Sequence, residues 1–225
     1  TPLYSSAASD VYKRQIFLYG VSWSSIIGIW LVQEHPELFH AFISSGQMAN
    51  TTENDRMGYE LALAHLDQQG ETGRAEKLRE NGPPPYRGDA VVWPYVDFLD
   101  VLNEIMGVPR YTVVVPLLGF LVPEYGFVDT INHTRGLFKS FNAVYPQLED
   151  LDFVEQAPVL EVPVFFFVGR HDVNAMPSLV EEYVDVLEAP EKELIWLEGG
   201  HGLGSAENKD LFVDVMLDRV RPLSR

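Results

Sequence analysis

An apolar segment that passes at once into a helical pattern, in the stretch IFLYGVSWSSIIGIW, constrains the fold of this chain more than any other feature. Residues 16–20 are apolar and aromatic, as in a buried strand, whereas Ile26, Ile27 and Trp30 fall at helical spacing. The segment LFHAFISSG, residues 38–46, predicts a second short strand. Together they predict a β-α-β unit, in which the strands are parallel and the crossover is right-handed.

Strand patterns return near the carboxyl end of the chain. The run VPVFFFVG ends at Gly169 and is typical of a strand buried on both faces of a parallel sheet. The segment PSLVEEYVDVLEA predicts an amphipathic helix, KELIWLEGGHG predicts a strand that ends in glycines, and NKDLFVDVMLDRV predicts a closing helix. We therefore predict an α/β fold with a parallel sheet, built from residues 16–48 and 158–225 and interrupted by a helical insertion at residues 49–157.

The insertion contains helical patterns without intervening strands. Thr52 is predicted to cap its first helix, which Gly70 closes, and Gly82 is predicted to end a second, shorter helix. Aromatic residues of the insertion are expected to form its core and its underside: Trp93, Tyr95, Phe98, Tyr111, Phe120, Tyr125, Phe127, Phe138 and Phe141.

The first fifteen residues, TPLYSSAASDVYKRQ, share no periodicity with the segment that follows. They resemble translated adapter sequence at the end of a gene fragment, and a disordered tag or linker is the alternative. Residues 1–15 are therefore expected to be a non-native or disordered leader.

Charge and cysteine content exclude several classes of partner. Sixteen Lys and Arg residues against 33 Asp and Glu residues give a formal charge of −17, which opposes binding to nucleic acid and to anionic membranes. The chain has no cysteine, which rules out disulfides and thiolate metal sites. Its apolar runs are shorter than the roughly 20 residues that cross a bilayer, and no signal peptide is visible. These features favour a cytoplasmic location, and the oligomeric state does not follow from them.

Three polar residues occupy equivalent positions, each just after a predicted strand: Ser22, Asp172 and His201. Because the carboxyl ends of parallel strands meet at one edge of a sheet, these side chains are expected to converge. Their chain order is that of hydrolases with a nucleophile elbow, in which small residues flank a serine on a strained turn. Gly20 satisfies this pattern, whereas Ser24 replaces the usual second glycine and is expected to crowd the turn without preventing it.

These residue types predict acyl transfer by a Ser-Asp-His triad. His201 would take the proton of Ser22 as the hydroxyl attacks an acyl carbon, and Asp172 would orient the imidazole and stabilise its charged form. The backbone N–H of Trp23 is the expected oxyanion donor. A second donor is expected from a loop that follows an earlier strand, outside this sequence.

The segments YGVSWSSIIGIWLVQEHPELF, GRHDVNAMP and EGGHG resemble the α/β-hydrolase superfamily, and the pattern Gly-x-Ser-Trp-x-Ser followed by HPE is similar to its proline iminopeptidase-like branch. The resemblance implies an α/β-hydrolase fold of eight strands with a helical cap inserted after the sixth. It also implies that the first four strands, with a His-Gly oxyanion loop, are missing upstream of Ile16. The strand at residues 16–20 would then be an unpaired apolar edge, so that the chain as given is expected to be poorly soluble and inactive.

The predicted function is that of a serine hydrolase acting on an ester or a small-peptide amide, without cofactor or metal. The resemblance further implies that cap carboxylates hold a substrate amine, with Glu53 as the candidate; otherwise Glu53, Asp55 and Glu60 are expected to be solvated. The alternative is a catalytically inert fragment or a non-enzymatic binding protein with the same fold.

Each triad residue also has a structural interpretation. Ser22 could cap the helix that follows it, Asp172 could cap the helix that begins near Pro177, and His201 could be an ordinary loop residue. His171 is a competing base because it lies beside Asp172. The remaining histidines are interpreted as structural, and none forms a metal-ligand pattern such as His-Glu-x-x-His: His35, His40, His65 and His133.

Overall fold

The computed structural model describes residues 15–88, 91–108 and 126–224, so the expectation for the leader lies outside the described residues except at Gln15. The chain divides into two compact units. One comprises Thr1–Ala49 and Asp152–Arg225, and the other comprises Asn50–Leu151. The sequence-based limits of the insertion were residues 49 and 157.

The first unit contains a parallel sheet in which the strands follow one another in chain order. Its strands are β1 (Ile16–Val21), β2 (Phe39–Ser45), β3 (Val164–Gly169) and β4 (Lys192–Leu197). The α-helices of the described residues are α1 (Trp23–Glu34), α2 (Thr51–Gln69), α3 (Thr72–Asn81), α4 (Val92–Ile105), α5 (Phe127–Val144), α6 (Phe153–Gln156), α7 (Pro177–Val186) and α8 (Ala206–Val215). Short turns of 3-10 helix occur at Pro36–Leu38, Tyr145–Leu148 and Arg221–Ser224, and a π-helical turn occurs at Met216–Val220. The predicted α/β architecture with a parallel sheet is confirmed.

Alternate residues of the central strands pack on opposite faces of the sheet. Ile43 and Phe165 belong to a buried cluster with Val215 of α8. On the opposite face, the ring of Phe166 contacts Tyr183 of α7. This two-sided coverage explains why all six residues of β3 are buried, as the continuous apolar run predicts.

Strand β1 is less covered than the others. Its exposed apolar residues are Ile16, Tyr19 and Val21, at 54%, 43% and 40% of their accessible surface. Within the part of the chain that the structure describes, β1 pairs with β2 alone. The described sheet therefore fits the partial sheet that the family resemblance implies.

The second unit is helical. Its helix α2 is capped by Asn50, whose side chain accepts a hydrogen bond from the backbone N–H of Glu53 at 2.9 Å, so the prediction of Thr52 as the cap is wrong. The helix starts two residues earlier than predicted because asparagine is among the strongest capping residues. Gly70 closes α2 in the left-handed conformation, at φ 70°, and Gly82 ends α3, as predicted.

Aromatic residues form the core of the helical unit. The ring of Tyr95 in α4 contacts the rings of Phe98, Phe141 and Tyr145, with centroids 4.8–5.9 Å apart. Such tilted and edge-on pairs stabilise a core beyond the area they bury. The prediction that aromatic residues build this core is confirmed for Tyr95 and Phe98, whereas Trp93 is 56% exposed. Tyr111, Phe120 and Tyr125 lie outside the described residues.

Candidate active site

Ser22 lies between β1 and α1 in a backbone conformation that non-glycine residues rarely adopt, with φ 53° and ψ −126°. Its side chain makes no capping hydrogen bond to α1, so the interpretation of Ser22 as a simple helix cap is wrong. A strained serine at a strand-to-helix turn is the feature that defines a nucleophile elbow.

The residues on either side of Ser22 make this turn sterically possible. A Cβ atom at Gly20 would lie 2.9 Å from both the carbonyl oxygen of Ser24 and the Cα atom of Ser25, so only glycine fits there. The hydroxyl of Ser24 bonds both the N–H and the carbonyl of Val21 at 2.7 Å. The turn therefore forms with serine in place of the usual second glycine.

Asp172 follows β3 and is 2% exposed. Its Oδ2 atom lies 2.7 Å from Nδ1 of His201, and its Oδ1 atom accepts the backbone N–H groups of Asn174 and Ala175 at 2.8 and 2.9 Å. Helix α7 has Met176 at its cap position. Asp172 therefore does not cap that helix, and its carboxylate is directed to the imidazole instead.

His201 follows β4 and pairs with Asp172, whereas the exposed His171 is tied by its backbone N–H to the carbonyl of Gly199 at 2.9 Å. The imidazole of His201 is largely buried, with 18% of its side chain exposed. It lies against Gly46, where an added Cβ atom would approach ring atom Cε1 to 2.5 Å.

The loop that carries His201 is held by contacts that the sequence analysis did not identify. The side chain of Asn208 accepts the N–H of Glu198 at 3.1 Å and donates to the carbonyl of Glu198 at 2.7 Å. A Cβ atom at Gly169 would overlap the carbonyl oxygen of Gly200. The glycines of EGGHG are a signal that the sequence offers for this close packing. The contact between Asn208 and Glu198 has no such signal, because the two residues are ten positions apart and follow no local pattern.

The carboxyl ends of the four strands meet at one edge, as predicted. In the sheet register Val21 is opposite Ser45, and Gly169 is opposite Leu197. The backbone N–H of Ser22 donates to the carbonyl of Ser45 at 3.0 Å, one residue before the glycine that contacts His201. The structure thus joins Asp172 to His201 directly and connects Ser22 to them through the end of β2. Trp23, the predicted oxyanion donor, is the first residue of α1.

Glu53, the predicted amine-binding residue, pairs with an arginine of its own helix. Its carboxylate accepts two hydrogen bonds from Arg56, at 2.8 Å from Nε and 2.6 Å from Nη2. The hydrogen bond from Arg56 lowers the pKa of Glu53, so the carboxylate is ionised at neutral pH. Glu60 also bonds Arg56, at 2.5 Å.

Asp55 is not solvated, contrary to the prediction for the acidic residues of α2. It is 6% exposed and accepts a hydrogen bond from the hydroxyl of Tyr145 at 2.8 Å. Burial raises the pKa of Asp55 to about 7, although the hydrogen bond from Tyr145 opposes this shift. The helical spacing of the buried residues Thr51, Asp55 and Gly58 places the carboxyl group on the inward face of α2.

Among the described residues, no group of three His, Asp or Glu side chains is placed to hold a metal ion. A search of the described helices finds none with the length and apolar character that a membrane span requires.

Comparisons with known proteins return a probable aminopeptidase, a proline iminopeptidase and VinJ. The probable aminopeptidase YbaC of Bacillus subtilis is 24% identical over 214 residues, which are 93% of this chain and 66% of that protein. Proline iminopeptidase of Mycobacterium smegmatis superposes with a TM-score of 0.58 at 15% identity, covering 98% of this chain and 70% of its own. VinJ superposes with a TM-score of 0.57 at 17% identity and the same coverage. No protein-family model matches the chain.

Proposed function

We propose that this chain, which has the α/β-hydrolase fold, is a serine hydrolase that uses Ser22 as nucleophile, His201 as general base and Asp172 as the residue that orients the base. One observation carries the proposal: the buried carboxylate of Asp172 bonds Nδ1 of His201 at the sheet edge on which the strained Ser22 stands. That bond leaves Nε2 of the imidazole to accept the proton of a hydroxyl.

The residues act in two half-reactions. Nε2 of His201 takes the proton of Ser22 while the hydroxyl oxygen bonds the acyl carbon, and the backbone N–H of Trp23 donates to the oxygen that becomes negative. The imidazolium then gives its proton to the leaving group, and an acyl-enzyme forms. In the second half, His201 takes a proton from water as the water oxygen attacks the acyl carbon. The imidazolium then returns that proton to the Ser22 oxygen as its bond to the acyl carbon breaks and the acid product leaves.

The substrate class that we propose is an ester or the amide of a small peptide. The names of YbaC and of the mycobacterial protein, an aminopeptidase and an iminopeptidase, support the amide. In the peptidase form of the proposal, Glu53 binds the free amine of the substrate, for which it has to exchange its present partner, Arg56. This chain spans only 66% of the length of YbaC. The proposed activity is therefore that of the site described above.

Labelling with a fluorophosphonate tests the proposal, because such probes react with activated serines. The probe is applied to the 225-residue chain and to a longer form that includes any coding sequence found upstream in its gene, and the modified residue is located by mass spectrometry. We expect modification at Ser22 that Ser22→Ala abolishes and His201→Ala slows. Labelling of either form supports the proposal, and labelling confined to the longer form would indicate that residues outside these 225 supply the second oxyanion donor. Absence of labelling in both forms would overturn it and favour a non-catalytic binding protein.

A further inference from the structure

The turn that follows β2 lies against the imidazole of His201. Gly46 begins this turn with φ 61°, and a Cβ atom built on it would lie 2.5 Å from Cε1, 2.9 Å from Nδ1 and 3.2 Å from Nε2 of the ring. These distances are shorter than van der Waals contact, so any side chain at residue 46 would displace the ring. Gly46 therefore defines one side of the space that the base occupies.

The same turn is rigidly supported. The hydroxyl of Ser44 donates to Oε1 of Gln47 at 2.8 Å, and Nε2 of Gln47 donates to the carbonyl of Met48 at 2.9 Å. The N–H of Gly46 donates to the carbonyl of Phe167 in β3 at 3.2 Å. Gln47 and Met48 are 1% and 4% exposed. Buried and satisfied polar groups of this kind keep a turn in one conformation.

Ser25 connects this turn to the nucleophile. Its side chain is fully buried, and its hydroxyl donates to the carbonyl of Ser22 at 2.5 Å while accepting the N–H of Met48 at 3.1 Å. A single side chain thus bonds the residue that carries the nucleophile and the turn that supports the base. This connection is separate from the contact between Asp172 and His201.

We infer that residues 46–48 form a positioning element that sets the separation of the Ser22 hydroxyl and the His201 imidazole, with Gly46 supporting the ring and Ser25 joining the turn to the elbow. The inference rests on the proposed function, since it assigns a role in the transfer of the Ser22 proton. Proton transfer needs the two heavy atoms within roughly 2.6–3.2 Å, so small displacements of the ring have large effects on rate.

Two variants disturb the element from opposite ends. Gly46→Ala inserts a methyl group beneath the ring, and Ser25→Ala removes the bond to Met48 without adding atoms. Tyr183→Phe is the matched control, because it removes a buried hydroxyl bond to Ala157 in the same unit, away from the sheet edge. We expect both variants to slow fluorophosphonate labelling by roughly 10- to 100-fold and the control to label at the parent rate.

A proton NMR measurement separates the failure of this inference from the failure of the proposed function. A proton on Nδ1 that is hydrogen-bonded to Asp172 is expected to give a far-downfield signal, which His201→Ala assigns by its loss. We expect Gly46→Ala to shift or broaden this signal and Tyr183→Phe to leave it unchanged.

The labelling rates and the NMR signal together distinguish failure of the positioning element from failure of the proposed function. Parent labelling with both variants at the control rate would overturn the inference and leave the function standing. If the parent is not labelled, the proposed function fails, and the NMR signal then tests only whether Gly46 supports the imidazole ring. An unchanged signal in Gly46→Ala would overturn that support, and a changed signal would agree with it. Ser25→Ala keeps the labelling test decisive if the methyl group of Gly46→Ala prevents folding.

Discussion

One carboxylate oxygen of Asp172 bonds the imidazole of His201, and the other bonds the backbone of the loop that carries Asp172. Oδ2 lies 2.7 Å from Nδ1 of the imidazole, while Oδ1 accepts the N–H groups of Asn174 and Ala175. The carboxylate is therefore fixed in place by backbone groups of its own loop, independently of the imidazole. Such preorganisation lets a carboxylate stabilise a developing imidazolium without rearrangement.

Asp172→Asn is expected to abolish most activity while leaving the fold intact. The amide oxygen can still accept the two loop N–H groups, but the amide nitrogen then faces Nδ1 and forces the ring proton onto Nε2, where it blocks transfer from Ser22. We expect turnover of an acyl substrate to fall by about 10⁴-fold. Turnover and the thermal melt are measured together, and a fall of less than about tenfold would argue against the triad.

Asp55 links the stability of the helical unit to pH. Burial raises its pKa from 3.8 to about 7, so the folded unit holds this proton over a range in which the unfolded chain has lost it. The contribution of this group is therefore fully present below about pH 4 and is lost as pH rises to about 7. Through this group, the free energy of unfolding changes by at most about 1.4 kcal/mol per pH unit.

Asp55→Asn removes the ionisation and is expected to flatten this dependence. Urea unfolding is followed between pH 4 and pH 8 for the parent and for the variant, and the difference between the two curves isolates one carboxyl group among many. Glu60→Gln is the control, since Glu60 is an exposed carboxylate on the same helix. Parallel curves for parent and Asp55→Asn would contradict the assignment.

Asn208→Ala is expected to loosen the loop that carries His201. It removes two hydrogen bonds to the backbone of Glu198, which are worth about 0.5–1.5 kcal/mol each because Glu198 is exposed to water. Labelling of Ser22 should fall with it. Ser205→Ala is a matched control because it removes the cap of the same helix, worth about 1 kcal/mol, without touching Glu198. Equal labelling of the two variants would show that loss of stability alone accounts for the effect.

Glu53→Gln tests the peptidase form of the proposed function. If Glu53 binds a substrate amine, the variant should raise KM for an aminoacyl amide by roughly tenfold and leave KM for a simple ester unchanged. Glu60→Gln disrupts the same arginine contact and serves as the control. An equal effect of both variants on both substrates would assign Glu53 a structural role with Arg56.

Local patterns were sufficient for much of the fold. Apolar runs and the spacing of apolar residues predicted the parallel strands and the crossover helix α1. They also predicted that Ser22, Asp172 and His201 follow strands, which are β1, β3 and β4. Apolar runs and helical spacing are local properties of a chain, because each depends on residues within a few positions of one another. The exception was the cap of α2, where Asn50 and Thr52 are both good candidates and the choice depends on where the chain turns.

The tertiary structure alone decided which polar groups are buried and which loops touch. Asp55 lies in a sequence segment rich in charged residues, as on a solvated helix surface. In the folded unit it is buried and bonds Tyr145, a residue 90 positions away. Gly46 and Ser25 are ordinary small residues in the sequence, and they gain a role only because folding places one under His201 and the other between Ser22 and Met48. The physical reason is that burial and contact arise between segments distant along the chain, and no local periodicity encodes those pairings.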